Sequence, residues 1–261
     1  MKVFLLPLAI FHENCYTDGN VITERTYTDM KPITELLYAR RNDVPFYPVI
    51  TAHSGCEKTP DNSIEHIRTA IASGAEMFEI DINEFDGTLY LTHDRRDDYS
   101  DVPTLAKCFE MAAAHPGICI NCDVKSFGLT APVIELAKKY GMESRILFTG
   151  SVGHDELPVL NASTADWWLS LWCSDHEPED LENACRTYRE LNGNYQIINL
   201  DQKMVNERVI RTMQETGHTL SIWTVNTEEA LYRMMQTGVT ANITTRIPLA
   251  ALRIRKEIFG V

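Results

Sequence analysis

From Val49 to Ile258 the chain alternates strand-like and helix-like segments joined by short connections, and no other feature limits its fold as strongly. The strands are read at Val49–Ala52, Glu76–Asn83, Gly117–Lys125, Arg145–Thr149, Asp166–Trp172, Tyr195–Leu200, Thr219–Val225 and Val239–Thr244. The first helix carries Ile64, Ile67 and Ile71 on one face, with Asn62 or Ser63 as its N-cap and Gly74 as its stop. Pro103-Thr104 opens a second, in which Leu105, Cys108, Phe109 and Ala112 make an i, i+3, i+4, i+7 stripe. Others follow at Pro132–Tyr140, Pro178–Leu191, Asn206–Thr216, Thr227–Thr237 and Leu249–Ile258, with a short one before Asp166. Eight strands alternating with helices is the count of an α/β (β/α)8 TIM barrel, here over residues 48–261. A doubly wound sheet is the competing topology. Against it, no strand runs into a G-x-G-x-x-G loop, and the polar candidates lie at the C-terminal ends of several strands, which a barrel gathers at one mouth. Residues 1–47 read as an N-terminal extension packed on the barrel: a short strand, a polar loop and a helix near Pro32–Arg41.

Chemistry concentrates between Phe78 and Asp94. Successive side chains of a strand face opposite ways, so Glu79, Asp81 and Asn83 share one face while Phe78, Ile80 and Ile82 share the other. Two carboxylates ~4 Å apart at an effective dielectric of ~20 repel by about 4 kcal/mol, a burden that a bound cation removes. Asp86-Gly87 is the dipeptide of a two-residue hairpin, so a β-hairpin follows the second strand, and its register sets His93 opposite Ile80. An imidazole then hangs beside the acidic pair, where a general acid or base belongs. Taken alone, an E-x-D on a strand describes a wet sheet edge. His53, at the end of the preceding strand, supplies a second imidazole in the same place.

The order His53-Ser54-Gly55, Pro60-Asp61-Asn62-Ser63, Glu79-Ile80-Asp81, His93-Asp94, Asp123-Val124-Lys125, Trp223-Thr224-Val225-Asn226 and Gly238-Val239 through Ile243-Thr244 resembles the glycerophosphodiester phosphodiesterase family, of the phospholipase-C-like phosphodiesterase superfamily. The resemblance runs from about Val49 to about Pro248. It implies a (β/α)8 barrel that hydrolyses diesters such as glycerophosphocholine or glycerophosphoethanolamine to glycerol 3-phosphate and an alcohol. Glu79, Asp81 and Asp123 offer the oxygen ligands that a hard divalent cation, Ca²⁺ or Mg²⁺, prefers. His53 and His93 would be the acid/base pair, a substrate hydroxyl attacking phosphorus through a cyclic phosphate. Lys125, on the same strand face as Asp123, suits a phosphate oxygen, Trp223 matches a cleft-lining residue, and Asn226 and Ser54 are the remaining substrate-binding candidates. The other six histidines match no motif.

Departures from the pattern bear on substrate. Ser54 stands where the family has an arginine that grips phosphate, and Arg95 or Arg96 is the compensation the sequence offers. Asp61 replaces a glutamate, and Asp123 replaces a glutamate as it does in the sphingomyelinase D branch, whose products are cyclic phosphates. Few residues separate Asp94 from Pro103, where the family inserts a small capping subdomain, and an uncapped cleft favours a bulkier or lipid-like diester. Two alternatives therefore stand beside the hydrolase: a lyase that stops at the cyclic phosphate, and a silent barrel that only binds a phosphorylated ligand.

Composition bounds the partners. A formal charge of −13 without a Lys/Arg cluster excludes a phosphate-backbone binder, so no nucleic acid is expected, only a small-molecule phosphodiester. Seven cysteines without regular spacing or a C-x-x-C pair read as thiols in a reducing, cytoplasmic setting. Val3–Phe11 is apolar but carries one preceding charge and no small-residue cleavage site, so secretion is the lesser expectation. No run approaches the ~20 apolar residues of a membrane span. Oligomeric state is not legible.

Overall fold

The computed structural model describes residues 46–171 and 197–261, together with residues 33, 37 and 181. Its strands are β1 (Val49–Ala52), β2 (Met77–Phe85), β3 (Thr88–Leu91), β4 (Cys119–Val124), β5 (Ile146–Gly150), β6 (Asp166–Trp167), β7 (Leu169–Leu171), β8 (Ile197–Asp201), β9 (Thr219–Trp223) and β10 (Thr240–Thr245). Nine of them form one sheet in the order β6-β5-β4-β2-β1-β10-β9-β8-β7, and every pair along it is parallel. The two outer strands, β6 and β7, are consecutive in the chain and separated only by Trp168. The strand expected over Asp166–Trp172 is thus bent at Trp168, pairs first with β5 and then with β8, and closes the sheet into a barrel of eight staves.

The helices are α1 (Ile64–Ser73), α2 (Leu105–Ala113), α3 (Thr130–Lys139), α4 (Leu157–Ala162), α5 (Glu207–Thr216), α6 (Glu228–Met235) and α7 (Pro248–Phe259). Four begin where a hydroxyl or amide side chain takes up an orphan N–H: Ser63 from His66, Thr104 from Lys107, Asn206 from Val209 and Thr227 from Ala230. Each such cap is worth about 1 kcal/mol. Gly74 ends α1 in the left-handed region at φ 83°. The expected helix Pro178–Leu191 lies outside the described residues except for Leu181, as do residues 1–45 except for Ile33 and Leu37.

The outward side chains of the staves, Phe78, Ile80, Ile82, Ile120, Cys122, Phe148 and Ile222 among them, pack against helix stripes such as Leu105, Cys108, Phe109 and Ala112 of α2. A second, smaller apolar cluster joins Ile33 and Leu37 to Val49, Met77, Leu147, Trp168 and Ile197, residues at or near the starts of their strands. Inside the barrel the lining is polar where branched aliphatics are usual. Thr51 Oγ1 donates to Asn242 Oδ1 (2.7 Å), Asn242 Nδ2 to Ser221 Oγ (3.0 Å), Ser221 Oγ to Asn199 Oδ1 (2.8 Å) and Asn199 Nδ2 to Ser170 Oγ (3.2 Å). On the other side Thr149 Oγ1 donates to Asn121 Oδ1 (2.8 Å).

His66 belongs to this frame and not to the chemistry. It is fully buried, edge-on to Phe78, with Nε2 3.1 Å from the carbonyl oxygen of Glu79. Burial, outweighing that hydrogen bond, pushes its pKa down from 6.5 to about 4. A folded-state pKa below the unfolded one means stability that is complete above the unfolded value and is lost as pH falls toward the folded one. Lowering pH from about 7 to about 5 should therefore cost about 2 kcal/mol through this residue. Denaturant melts at the two pH values check it, and a His66→Gln chain that loses just as much would assign the loss elsewhere. Among the described residues the four cysteines, Cys56, Cys108, Cys119 and Cys122, are free thiols, and burial pushes Cys56 up to about 11. No helix among the described residues is long and apolar enough to cross a membrane.

Candidate active site

A cavity of about 360 Å³ opens at the C-terminal ends of the staves. His53 from the end of β1, Glu79 and Asp81 from β2, Asp123 and Lys125 from β4, Trp223 from β9 and His93 beyond the hairpin all line it. The barrel mouth thus brings together residues spread over 171 positions of the chain, from His53 to Trp223 counted inclusively.

Strand alternation builds the acidic centre. Glu79 and Asp81 point inward from β2, and parallel pairing sets Asp81 beside Asp123. Glu79, Asp81 and Asp123 each offer an oxygen within 4.8 Å of the others. Lys125 lies two residues past Asp123 on the same face, its Nζ 2.6 Å from Asp81 Oδ1 and 2.8 Å from Asp123 Oδ2. Burial holds the Glu79 carboxyl well above the ordinary range, and repulsion from Asp81 and Asp123 adds to it. For Asp81 burial also pushes upward, yet the Lys125 ammonium and the 2.7 Å hydrogen bond from Asn62 Nδ2 win, and its pKa falls. Burial prevails at Asp123, which is raised despite Lys125. The two carboxylates raise Lys125 in turn, against the effect of its own burial.

One atom of this centre is out of balance. Asp123 Oδ1 is buried without a hydrogen-bond partner among the described residues. It rests in a gap kept open by Gly150, where an added Cβ would come within 2.1 Å of that oxygen and 2.4 Å of the Val124 carbonyl oxygen. Gly150 also sits at φ 86°, a region closed to most side chains. Gly150→Ala should cost roughly 2–4 kcal/mol, because backbone strain and a backbone collision coincide; an equilibrium melt within about 0.5 kcal/mol of the parent would show that the turn can relax.

Both histidines are held by their neighbours. His53 Nδ1 lies 2.8 Å from the Ser54 carbonyl oxygen and 3.3 Å from Arg246 Nε; donating to the carbonyl leaves Nε2 an acceptor, whereas accepting from the guanidinium puts the proton on Nε2. That Nε2 is 3.9 Å from Glu79 Oε2. Burial lowers the His53 pKa. The hairpin has the expected form: Asp86 and Gly87 both have positive φ, and Ile82 pairs with Leu91, the register that extends to Ile80 and His93. The ladder itself stops at Leu91, and Asn83 Nδ2 then clasps the carbonyl oxygens of Thr92 and His93 at 3.0 Å each. His93 is exposed, its Nδ1 2.8 Å from Asp94 Oδ1.

Two of the substrate-binding candidates lie elsewhere. Ser54 is buried, its Oγ accepts from Asn62 N (2.7 Å) and its N–H donates to Glu79 Oε2 (2.9 Å), so it positions the centre and does not line the cavity. Asn226 is exposed and accepts from Arg246 N (2.8 Å), outside the cavity lining. Trp223 does line the wall, and its buried indole N–H has no acceptor among the described residues. Neither Arg95 nor Arg96 lines the cavity, and Arg96 faces Asp101 at 3.6 Å. Among the described residues the guanidinium that lines the cavity is that of Arg246, just past β10, with Asp61 opposite. Sequence reasoning named Asp61 only as a departure from the family pattern and passed over Arg246, although Arg246 closes a strand whose end, like the others, belongs to the mouth.

No protein-family model matches the sequence, and no curated protein does. The fold does find counterparts among solved structures. A Silicibacter pomeroyi protein assigned to the glycerophosphoryl diester phosphodiesterases superposes with a TM-score of 0.67 at 18% identity, over 82% of this chain and 95% of its own. One from Agrobacterium tumefaciens, likewise assigned, gives 0.70 at 16% identity over 81% and 98%. A phosphodiesterase of Oleispira antarctica, solved with sn-glycerol-3-phosphate, gives 0.62 at 15% identity over 84% and 98%. The chain has the barrel fold of the glycerophosphodiester phosphodiesterases.

Proposed function

We propose that the protein is a metal-dependent phosphodiesterase that releases glycerol 3-phosphate from glycerophosphodiesters. The observation that carries the reading is the convergence of Glu79, Asp81 and Asp123 on one point beside His53, with Asp123 Oδ1 buried and unpaired. Two buried carboxylates and a half-buried third facing one ammonium leave an excess of negative charge, and an all-oxygen donor set suits a hard cation, Ca²⁺ or Mg²⁺. These three residues would hold it, and when bound it supplies charge neutralisation for the phosphoryl oxygens.

The chain's own groups move the protons. In the tautomer in which Nδ1 donates to the Ser54 carbonyl, His53 Nε2 is unprotonated and takes the proton of the substrate hydroxyl that attacks phosphorus. The new O–P bond forms as the bond to the leaving alcohol breaks, and His93, oriented by Asp94, donates the proton that this oxygen needs. Water then opens the cyclic phosphate with the roles reversed. Lys125 steadies Asp81 and Asp123 and stands within reach of a phosphate oxygen, while Trp223 walls the cleft with a spare N–H donor. Apart from that indole and Gly150, every residue lining the cavity carries a polar or charged group, with Asn121, Thr149, Ser170, Asn199 and Thr244 among them. A small polar diester fits it better than the lipid-like substrate that an uncapped cleft alone suggests.

The test is release of glycerol 3-phosphate from glycerophosphocholine and glycerophosphoethanolamine with Ca²⁺, Mg²⁺ or chelator, followed by phosphorus NMR. Cation-dependent release supports the reading, a cyclic phosphate that persists favours the lyase, and no turnover with any cation refutes both. Residues 1–47 we read as an N-terminal extension packed on the barrel, a reading supported by the burial of Ile33 and Leu37 against the strand starts.

A further inference from the structure

The cavity is hostile to an anion as it stands. Asp61, Glu79, Asp81 and Asp123 line it against two permanent cations, Lys125 and Arg246. Lys125 has two of its three N–H donors committed, since its Nζ already lies within 2.8 Å of two carboxylates. Arg246 is less committed. Its Nη2 meets Asp61 Oδ1 at 3.0 Å in a half-exposed, solvent-screened pair, its Nε lies 3.3 Å from His53 Nδ1, and its Nη1 makes no hydrogen bond among the described residues. A guanidinium has five N–H donors in a planar fork that matches two phosphate oxygens, so most of this one's capacity is unspent.

The surrounding loops are built to hold it there. Arg246 N donates to Asn226 Oδ1 (2.8 Å), its carbonyl accepts from Glu57 N (2.8 Å), and the preceding Thr245 carbonyl accepts from His53 N (2.8 Å). Asp61, the partner of the guanidinium, lies against Gly55, where a Cβ would stand 2.0 Å from Asp61 Oδ1. Gly55 has φ 76°, so the loop after β1 is shaped around that carboxylate. Ser54 cannot take the role, being buried with its hydroxyl engaged.

We infer that Arg246, delivered from the end of β10 and aimed by Asp61, is the residue that grips the phosphate of the substrate, in place of an arginine beside His53. The assignment rests on the phosphodiesterase reading for its substrate, but not for its anion. Inorganic phosphate is therefore the probe, measured by titration calorimetry on the full chain with and without Mg²⁺, alongside kcat and KM for glycerophosphocholine. Arg246→Gln should weaken phosphate binding and raise KM by about 10–100-fold, the value of a charge-assisted hydrogen bond, with a smaller change in kcat. Arg246→Lys should recover only part of this, because a point charge replaces a fork. Asp61→Asn should fall between Arg246→Gln and the parent. Unchanged phosphate affinity in Arg246→Gln, or a parent that binds no phosphate, overturns the inference. A parent that binds phosphate through Arg246 yet turns over no diester overturns the hydrolase and leaves the anion site standing.

Discussion

Lys125→Met should destabilise the protein by about 3–5 kcal/mol in chelator, and added divalent cation should restore much of the loss. The ammonium lies within hydrogen-bond reach of Asp81 and Asp123, and all three side chains are mostly covered by the protein. Removing it leaves three carboxylates facing one another with no positive charge among them. Proton uptake by Glu79, whose pKa is already raised, limits the damage but does not abolish it. A cation seated among the three oxygens would do what the ammonium did, so the rescue reads metal binding without reference to turnover. Thermal melts of parent and variant in chelator, Mg²⁺ and Ca²⁺ measure both effects. A variant as stable as the parent in chelator would mean that the acids are neutral in the folded protein, and a variant indifferent to cations would argue against the metal site.

His53→Ala and His93→Ala should each lower turnover of glycerophosphocholine by about 10²–10⁴-fold with little change in stability. The two losses differ in kind, and a diester with an activated leaving group separates them. A nitrophenolate departs without a proton, so His93→Ala should recover most of its rate on a nitrophenyl diester, while His53→Ala, lacking the base, should not. Equal impairment of both on that substrate would remove the acid role from His93. Full activity of His93→Ala on the natural diester would remove the residue from the mechanism.

The sequence disclosed what period and turn chemistry control. The period-two face of β2 gave Glu79 and Asp81, Asp86-Gly87 gave the hairpin and its register, and Ser63 and Gly74 bracketed α1 as capping rules require. The barrel followed from counting alternations, and the bend at Trp168 escaped because one apolar run serves two partner strands. Side-chain engagement was not legible. Nothing in His53-Ser54-Gly55 tells that the serine turns inward to Asn62, nor does Trp223-Thr224-Val225-Asn226 tell that the asparagine caps Arg246. Both depend on contacts made across the fold. Arg246 was hidden for the same reason, since its contacts with His53 and Asp61 come from the loop after β1, nearly two hundred residues away in the chain. Gly150 likewise looks like any strand-end glycine until Asp123 is set against it.

The polar chain inside the barrel has a direction. From Thr51 through Asn242, Ser221 and Asn199 to Ser170, every link donates the same way, so the bond dipoles add head to tail. Ser170 ends the series by accepting from Asn199 and also from Gly150 N–H, and it lines the cavity. Its own hydrogen has no acceptor among the described residues and is left polarised by everything behind it. The barrel interior thus acts as a small oriented dielectric whose positive end lies at the floor of the cleft, ready to meet a developing negative charge without having to reorganise.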